Sequence, residues 1–212
     1  MPNFDHLARP YRWLEYLTFG PTLQRTRTHY LPLLTESRQA LVLGDGDGRF
    51  TAQLLRQNTK IQIHAVDTSP KMLQSLSNQA RPHQTRLTTE QADLRHWTPS
   101  PGSSYDLITT HFLLDCLSTE EITQLARRLD PATTSQTQWL ISEFNIPETL
   151  FGHLIAKPLI HLLYLSFRLL TNLKIDHLPN HPQAFTQAGW QLQHHHPQLE
   201  GLLISQLWRR IP

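Results

Sequence analysis

Ala40-Leu41-Val42-Leu43-Gly44-Asp45-Gly46-Asp47-Gly48-Arg49, answered further on by Ala65-Val66-Asp67, is the stretch that decides the fold. A short apolar run ends abruptly in Gly44-x-Gly46-x-Gly48. Glycines let a backbone turn tightly and approach a ligand with no Cβ in between. Arg49 to Arg56 then reads as a helix opening directly from the turn, so its first N–H groups face whatever the turn holds. Strand, glycine turn and helix in that order suit a nucleotide site, although the arrangement alone recurs in many α/β folds.

Working outward, Ile61-Gln62-Ile63-His64-Ala65-Val66 reads as a second strand. Ser69 suits an N-cap and Pro70 the first turn of a helix reaching about Gln79. Arg86-Leu87-Thr88 is a weak third strand, Tyr105 to Thr110 a stronger fourth, and Trp139 to Phe144 a fifth. Ser118 and Glu121 predict a capping box on a helix through Arg128. Gly189 to Gln193 and Leu202 to Trp208 alternate and predict two final strands. Asp5 to Thr35 predicts one or two helices, the second starting at Pro21. Pro147 to Leu173 predicts helix, with Pro158 expected to split it, because an interior proline removes a hydrogen bond and clashes.

This order predicts an α/β fold: a seven-stranded, mostly parallel, Rossmann-like sheet, last strand antiparallel, with helices on both faces and an N-terminal helical lid. A single domain over 1–212 is expected, divided into a helical cap (1–36), a cofactor-binding core (37–145), a helical insertion (146–180) and C-terminal strands (181–212).

Composition narrows the function. The chain has 212 residues, 39% hydrophobic and 17% charged, which is the balance of a folded domain. Its formal net charge is +2, with no dense Lys/Arg run, so the sequence gives no sign of a nucleic-acid partner. With Cys116 as the one cysteine, neither an internal disulfide nor a cysteine-based zinc site can form, and no metal is expected. Asp5, His6, Arg9 and Arg12 interrupt any signal-like pattern, which favours a cytoplasmic location. Thr149 to Leu173 contains Lys157, Pro158, His161 and Arg168 and is not expected to span a bilayer.

Spacing separates two cofactor classes. A dinucleotide turn wants G-x-G-x-x-G, and the residue after Gly48 is Arg49. S-adenosylmethionine carries no pyrophosphate, so the tighter turn suits it better. Asp67 falls about 20 residues beyond the turn, where an acid can accept hydrogen bonds from ribose hydroxyls. The bland alternative is a cap before Ser69-Pro70.

From about Leu41 to Trp208 the chain resembles the class I S-adenosylmethionine-dependent methyltransferase family of the small-molecule type. Leu43 to Gly48 matches its first motif, Val66-Asp67-Thr68-Ser69-Pro70-Lys71-Met72 its segment after strand two, Ala92-Asp93-Leu94 its "AD" step, and Tyr105-Asp106-Leu107-Ile108 its entry to strand four. The resemblance implies S-adenosyl-L-methionine held by Gly44, Asp45, Gly46, Gly48, Asp67, Thr68, Met72, Asp93, Leu94 and His111, with Asp93 on the adenine amino group and Tyr11 as a lid. For Met72 and Leu94 ordinary packing is an equal reading. The family often has an acid two residues before the first glycine; here Val42 stands there, and Asp45 is the substitute for holding the methionine ammonium.

His111-Phe112-Leu113-Leu114-Asp115 should edge the transfer site, since ligands sit beyond the carboxyl ends of parallel strands. His111 is a candidate general base and Asp115 either orients it or acts itself, although 13 histidines make one at a pocket edge unsurprising, and a helix cap is the plain alternative for Asp115. Methyl transfer needs no base unless the acceptor arrives protonated. Tyr11 and Trp13, with Phe151, Leu154, Ile155, Leu159, Leu162, Leu163, Tyr164 and Phe167, supply apolar surface for packing, an acceptor pocket, a membrane face or a partner subunit. On a strand His194 and His196 share a face, which is too few ligands for a firm metal site.

The reading is therefore methyl transfer to a small, partly apolar acceptor at O, N, S or C. The alternative is a non-catalytic S-adenosylmethionine-binding module or regulatory subunit. Peripheral membrane contact and a homodimer stay open as partners. Thr110-His111-Phe112-Leu113 in place of an Asn/Asp-Pro-Pro-aromatic signature argues against nucleic-acid methylation.

Overall fold

The computed structural model describes residues 21–162 and 177–211. The expected lid with Tyr11 and Trp13, and the insertion residues Leu163, Tyr164 and Phe167, lie outside them.

Seven strands form one sheet: β1 (Gln39–Leu43), β2 (Gln62–Asp67), β3 (Leu87–Gln91), β4 (Tyr105–His111), β5 (Thr133–Phe144), β6 (Trp190–Gln198) and β7 (Leu203–Arg210). Their order across the sheet is β3-β2-β1-β4-β5-β7-β6. The first five pair in parallel, and β7 runs antiparallel to both β5 and β6. The helices are α1 (Thr22–Thr28), α2 (Arg49–Gln57), α3 (Pro70–Gln79), α4 (Thr119–Leu129), α5 (150–162) and α6 (His181–Gln187).

After the exposed Gln39, strand β1 is apolar because both of its faces are covered. Leu41 and Leu43 join Val66, Ile108, Trp139 and Ile141 beneath α4 and α6. Ala40 and Val42 join Ala65, Leu107 and Leu140 beneath α2. Trp139 sits in a T-shaped aromatic cluster, 4.6 Å from Phe185 and 5.2 Å from Trp190 between ring centroids. At the other end of the sheet, the Asp106 carboxylate accepts the N–H groups of Arg38 (2.7 Å) and Gln39 (3.0 Å), locking the start of β1 to β4. Ser69 caps α3 through Met72 N–H, and the Ser118–Glu121 capping box forms in full.

Two local expectations are corrected. Pro158 does not split its helix: α5 continues through it after a wide π turn over Gly152–Ala156, in which Lys157 N–H reaches Gly152 C=O. Widening the ladder one residue ahead of the proline gives its ring room. The predicted final strand forms as β7, and Leu203 to Trp208 are all buried, with Leu23 of α1 packed near Leu203 on one face and Phe185 of α6 5.2 Å from Trp208 on the other. Strand β6 continues past Gln193 to Gln198 and absorbs the histidine run, with a register shift between Leu192 and His194. There His196 stacks on His29 at 3.6 Å and His194 leans toward Tyr30 at 5.7 Å.

Candidate functional site

Along the C-terminal edge of the sheet, neighbouring strands present Asp93 just beyond β3, Asp67 on β2, Gly44 after β1 and His111 on β4. Parallel strands expose their ligand sites at this edge.

The three glycines answer to different constraints. All take positive φ, +61° at Gly44, +62° at Gly46 and +82° at Gly48, where side chains are disfavoured. A Cβ on Gly44 would lie 2.7 Å from Leu113 Cδ1, and one on Gly48 would lie 2.5 Å from Leu76 Cα. Gly48 thus serves helix packing. A Cβ on Gly46 would meet nothing within 4 Å, so the turn is open there. Beside it Asp47 Oδ1 takes Arg49 Nε at 3.0 Å, while Oδ2 is buried without a partner.

Asp45 is 7% exposed and turns back on α2. Its Oδ2 accepts Thr51 N–H (2.9 Å) and the Thr51 hydroxyl (2.6 Å), serving the N-terminal turn of the helix. Burial pushes its carboxyl up to about 6, against the pull of the Thr51 bonds and of Arg27. The oxygen expected to hold an ammonium group is thus engaged by the protein itself.

Asp67 caps the turn, with Oδ1 accepting Ser69 N–H at 2.8 Å, and it sits at the C-terminal end of β2. Thr68 and Met72 follow it, half-buried. Asp93 Oδ1 accepts Arg95 N–H at 3.0 Å. Leu94 is buried in the core with Leu43 and Val66, which is the packing reading.

His111 is 3% exposed and its ring lies 4.2 Å from that of Phe50. Nδ1 lies 3.0 Å from Ser142 Oγ, and that hydroxyl donates to Thr26 C=O, so the network assigns the ring proton to Nδ1. Nε2 is then a buried lone pair without a partner. Burial and the nearby Arg27 charge hold His111 well below the usual imidazole range. It is therefore neutral at pH 7 and a poor proton acceptor. Ser142, not Asp115, orients it. Asp115 sits in a short 3-10 turn, Leu114–Cys116, where burial pushes its carboxyl up to about 6.

Two further residues join the site. Arg27 on α1 is 7% exposed, with Cζ 5.0 Å from the Phe112 ring centroid, and its charge acts on Asp45, His111 and Glu143. Glu143, the next-to-last residue of β5, accepts the N–H groups of Leu113 (3.0 Å) and Leu114 (2.8 Å) on Oε1. A charged residue closing the apolar run Trp139-Leu140-Ile141 was the sequence signal for Glu143. Arg27 had none.

Among the described residues no group of three or more His, Cys, Asp or Glu could hold a metal, and no helix is long and apolar enough to cross a membrane.

Residues 40–133 match the methyltransferase-domain family model. A malonyl-[acyl-carrier protein] O-methyltransferase of Halorhodospira halophila is 34% identical over 119 residues, covering 56% of this chain and 39% of its own length. The chain thus spans well under half of that curated relative. Among solved structures, a mitomycin 7-O-methyltransferase superposes with TM-score 0.74 at 14% identity, over 98% of this chain and 60% of that one. An O-methyltransferase family 2 protein of Planctomyces limnophilus, in complex with apigenin, gives 0.69 at 17% identity, over 94% and 61%. The N,N-8-amino-8-demethyl-D-riboflavin dimethyltransferase of Streptomyces davawensis gives 0.66 at 18% identity, over 100% and 62%.

Proposed function

We propose that this chain, which carries the domain and the sheet of a class I methyltransferase, moves a methyl group from S-adenosylmethionine to a small, partly apolar acceptor. The observation that carries the reading is the row formed by the Gly44–Gly48 turn, Asp67 and Asp93 on adjacent strand ends, with the turn open only at Gly46. The buried, partnerless Asp47 Oδ2 beside that opening and His111 Nε2 beyond β4 are what a polar ligand would satisfy.

In this arrangement Gly44, Gly46 and Gly48 form the floor, with Asp45 behind it. Asp67 and Thr68 take the ribose, Asp93 the adenine amino group, and Met72 one face of the ring, with Leu94 as the backing layer. When bound, the cofactor supplies an electrophilic methyl group on a sulfonium. The protein's own residues hold the acceptor in line with it, a placement worth up to ~7–11 kcal/mol in well-oriented systems. Asp115 receives the acceptor's proton as the new bond forms. With a value of about 6 it is ionised at pH 7 and is a stronger base than an ordinary carboxylate. His111 borders the site as a neutral acceptor through Nε2. Phe112, Phe144 and Phe151 offer an apolar wall beside Cys116, and mitomycin and apigenin in the neighbours' names favour a ring hydroxyl as the acceptor.

The test is transfer of labelled methyl to a panel of phenols, amines and thiols across pH. The reading expects turnover of a phenol, rising through about pH 6 and falling at least tenfold in Asp115→Asn, a loss in the usual range for a proton-transfer group. Tight cofactor binding without turnover of any acceptor would instead favour the non-catalytic module.

A further inference from the structure

Glu143 is 2% exposed, and its two oxygens have unequal surroundings. Oε1 accepts two successive backbone N–H groups, those of Leu113 and Leu114. Oε2 is buried with no hydrogen-bond partner. The two bonds tie the end of β5 to a strained connection: Phe112 takes φ +53°, and Leu113 then lies against Gly44. An ionised carboxylate wants donors on both oxygens, and leaving one buried without them is costly. In the neutral acid the carbonyl oxygen is the better acceptor for both N–H groups, and the proton rides on the other oxygen. An O–H left there without an acceptor costs less than an anionic oxygen, so the uneven bonding suits the neutral form.

Asp115 and Cys116 face Glu143 from the connection between β4 and α4, and Arg27 faces it from α1. Arg27 favours the anion but also acts on Asp45 and His111. We propose that Glu143 works as a neutral carboxylic acid, a positioning residue that fixes Leu113 and Leu114 through Oε1 and keeps a second negative charge away from Asp115. Burial, and then the Asp115 charge, push the Glu143 carboxyl well above the usual range, beyond what the two N–H bonds and Arg27 pull back. The consequence for Asp115 rests on its role as base in the proposed methyl transfer. The protonation state of Glu143 does not.

Glu143→Gln copies the neutral acid, since the amide oxygen still accepts both N–H groups and nothing titrates. The sign follows from linkage. With the folded value raised, the unfolded chain loses its proton first, and the wild type loses stability as pH rises from about 4.5 toward the folded value. The glutamine variant escapes this loss. Its Tm advantage over wild type should grow by roughly 5–10 °C between about pH 5 and pH 8. Glu143→Ala, which leaves both N–H groups without their acceptor, should melt lower at both. The carboxyl carbon resonance of Glu143 in the wild-type protein at pH 7 should be that of a protonated acid. An ionised resonance, or a glutamine variant whose advantage is flat or shrinks with pH, would overturn the proposal. Neither readout involves the cofactor, so failure here and failure of methyl transfer are told apart.

Discussion

Replacing Gly48 with alanine would set a Cβ 2.5 Å from Leu76 Cα at φ +82°. Backbone cannot retreat as a side-chain tip can, so left-handed strain and overpacking together should cost about 2–4 kcal/mol. Gly46→Ala meets nothing and carries only the strain, about 1–2 kcal/mol. Its methyl would, however, occupy the space where the cofactor approaches. Thermal melts paired with cofactor titration should therefore separate the two: Gly48→Ala loses mostly stability and Gly46→Ala mostly affinity. Equal losses in both readouts would remove the distinction. The sequence marked all three glycines alike, because spacing reports a turn and not what faces each Cα. It was likewise silent on Arg27, which lies on a short helix without any motif and meets the site only through the packing of α1 against the sheet edge.

At the scale of elements, the strands and caps were legible because their signals are local. Ser118 and Glu121 are three residues apart, and the structure returns both hydrogen bonds of the box. Ser118→Ala should cost about 1 kcal/mol, read as a lower urea midpoint at unchanged slope, with Ser118→Asp restoring most of it. No change would mean that α4 is held by its buried Ile122, Leu125 and Leu129 alone. Where local signals failed, tertiary context had overruled them. Pro158 reads as a breaker until the π turn ahead of it accommodates the ring. Strand β7 alternates in sequence, yet both its faces are buried, one under Leu23 of α1 and the other beside Phe185 of α6. The strand predicted to end at Gln193 runs on through the histidines because pairing with β7 carries β6 to Gln198.

Across the whole molecule, the sheet brings residues from separate strands to one edge, and this is why the residues proposed for the cofactor could be placed together from sequence while those around His111 could not. The glycine turn, Asp67 and Asp93 each follow their own strand, so chain order places them. The transfer side depends on α1, β4 and β5 meeting: Arg27, His111, Ser142 and Glu143 are far apart in sequence, and Ser142 took the place expected of Asp115 beside His111. The central claim is that this edge binds S-adenosylmethionine. The direct measurement is calorimetric titration of the cofactor into wild type and Asp67→Asn, a variant that keeps an acceptor for Ser69 N–H but loses the charge. Charge-assisted hydrogen bonds are worth about 1.5–3 kcal/mol, so the account expects saturable binding in the wild type, weakened at least tenfold in the variant at an unchanged melting temperature, and weakened less by His111→Ala. No saturation by about 1 mM cofactor, or equal affinity in wild type and Asp67→Asn, would contradict it.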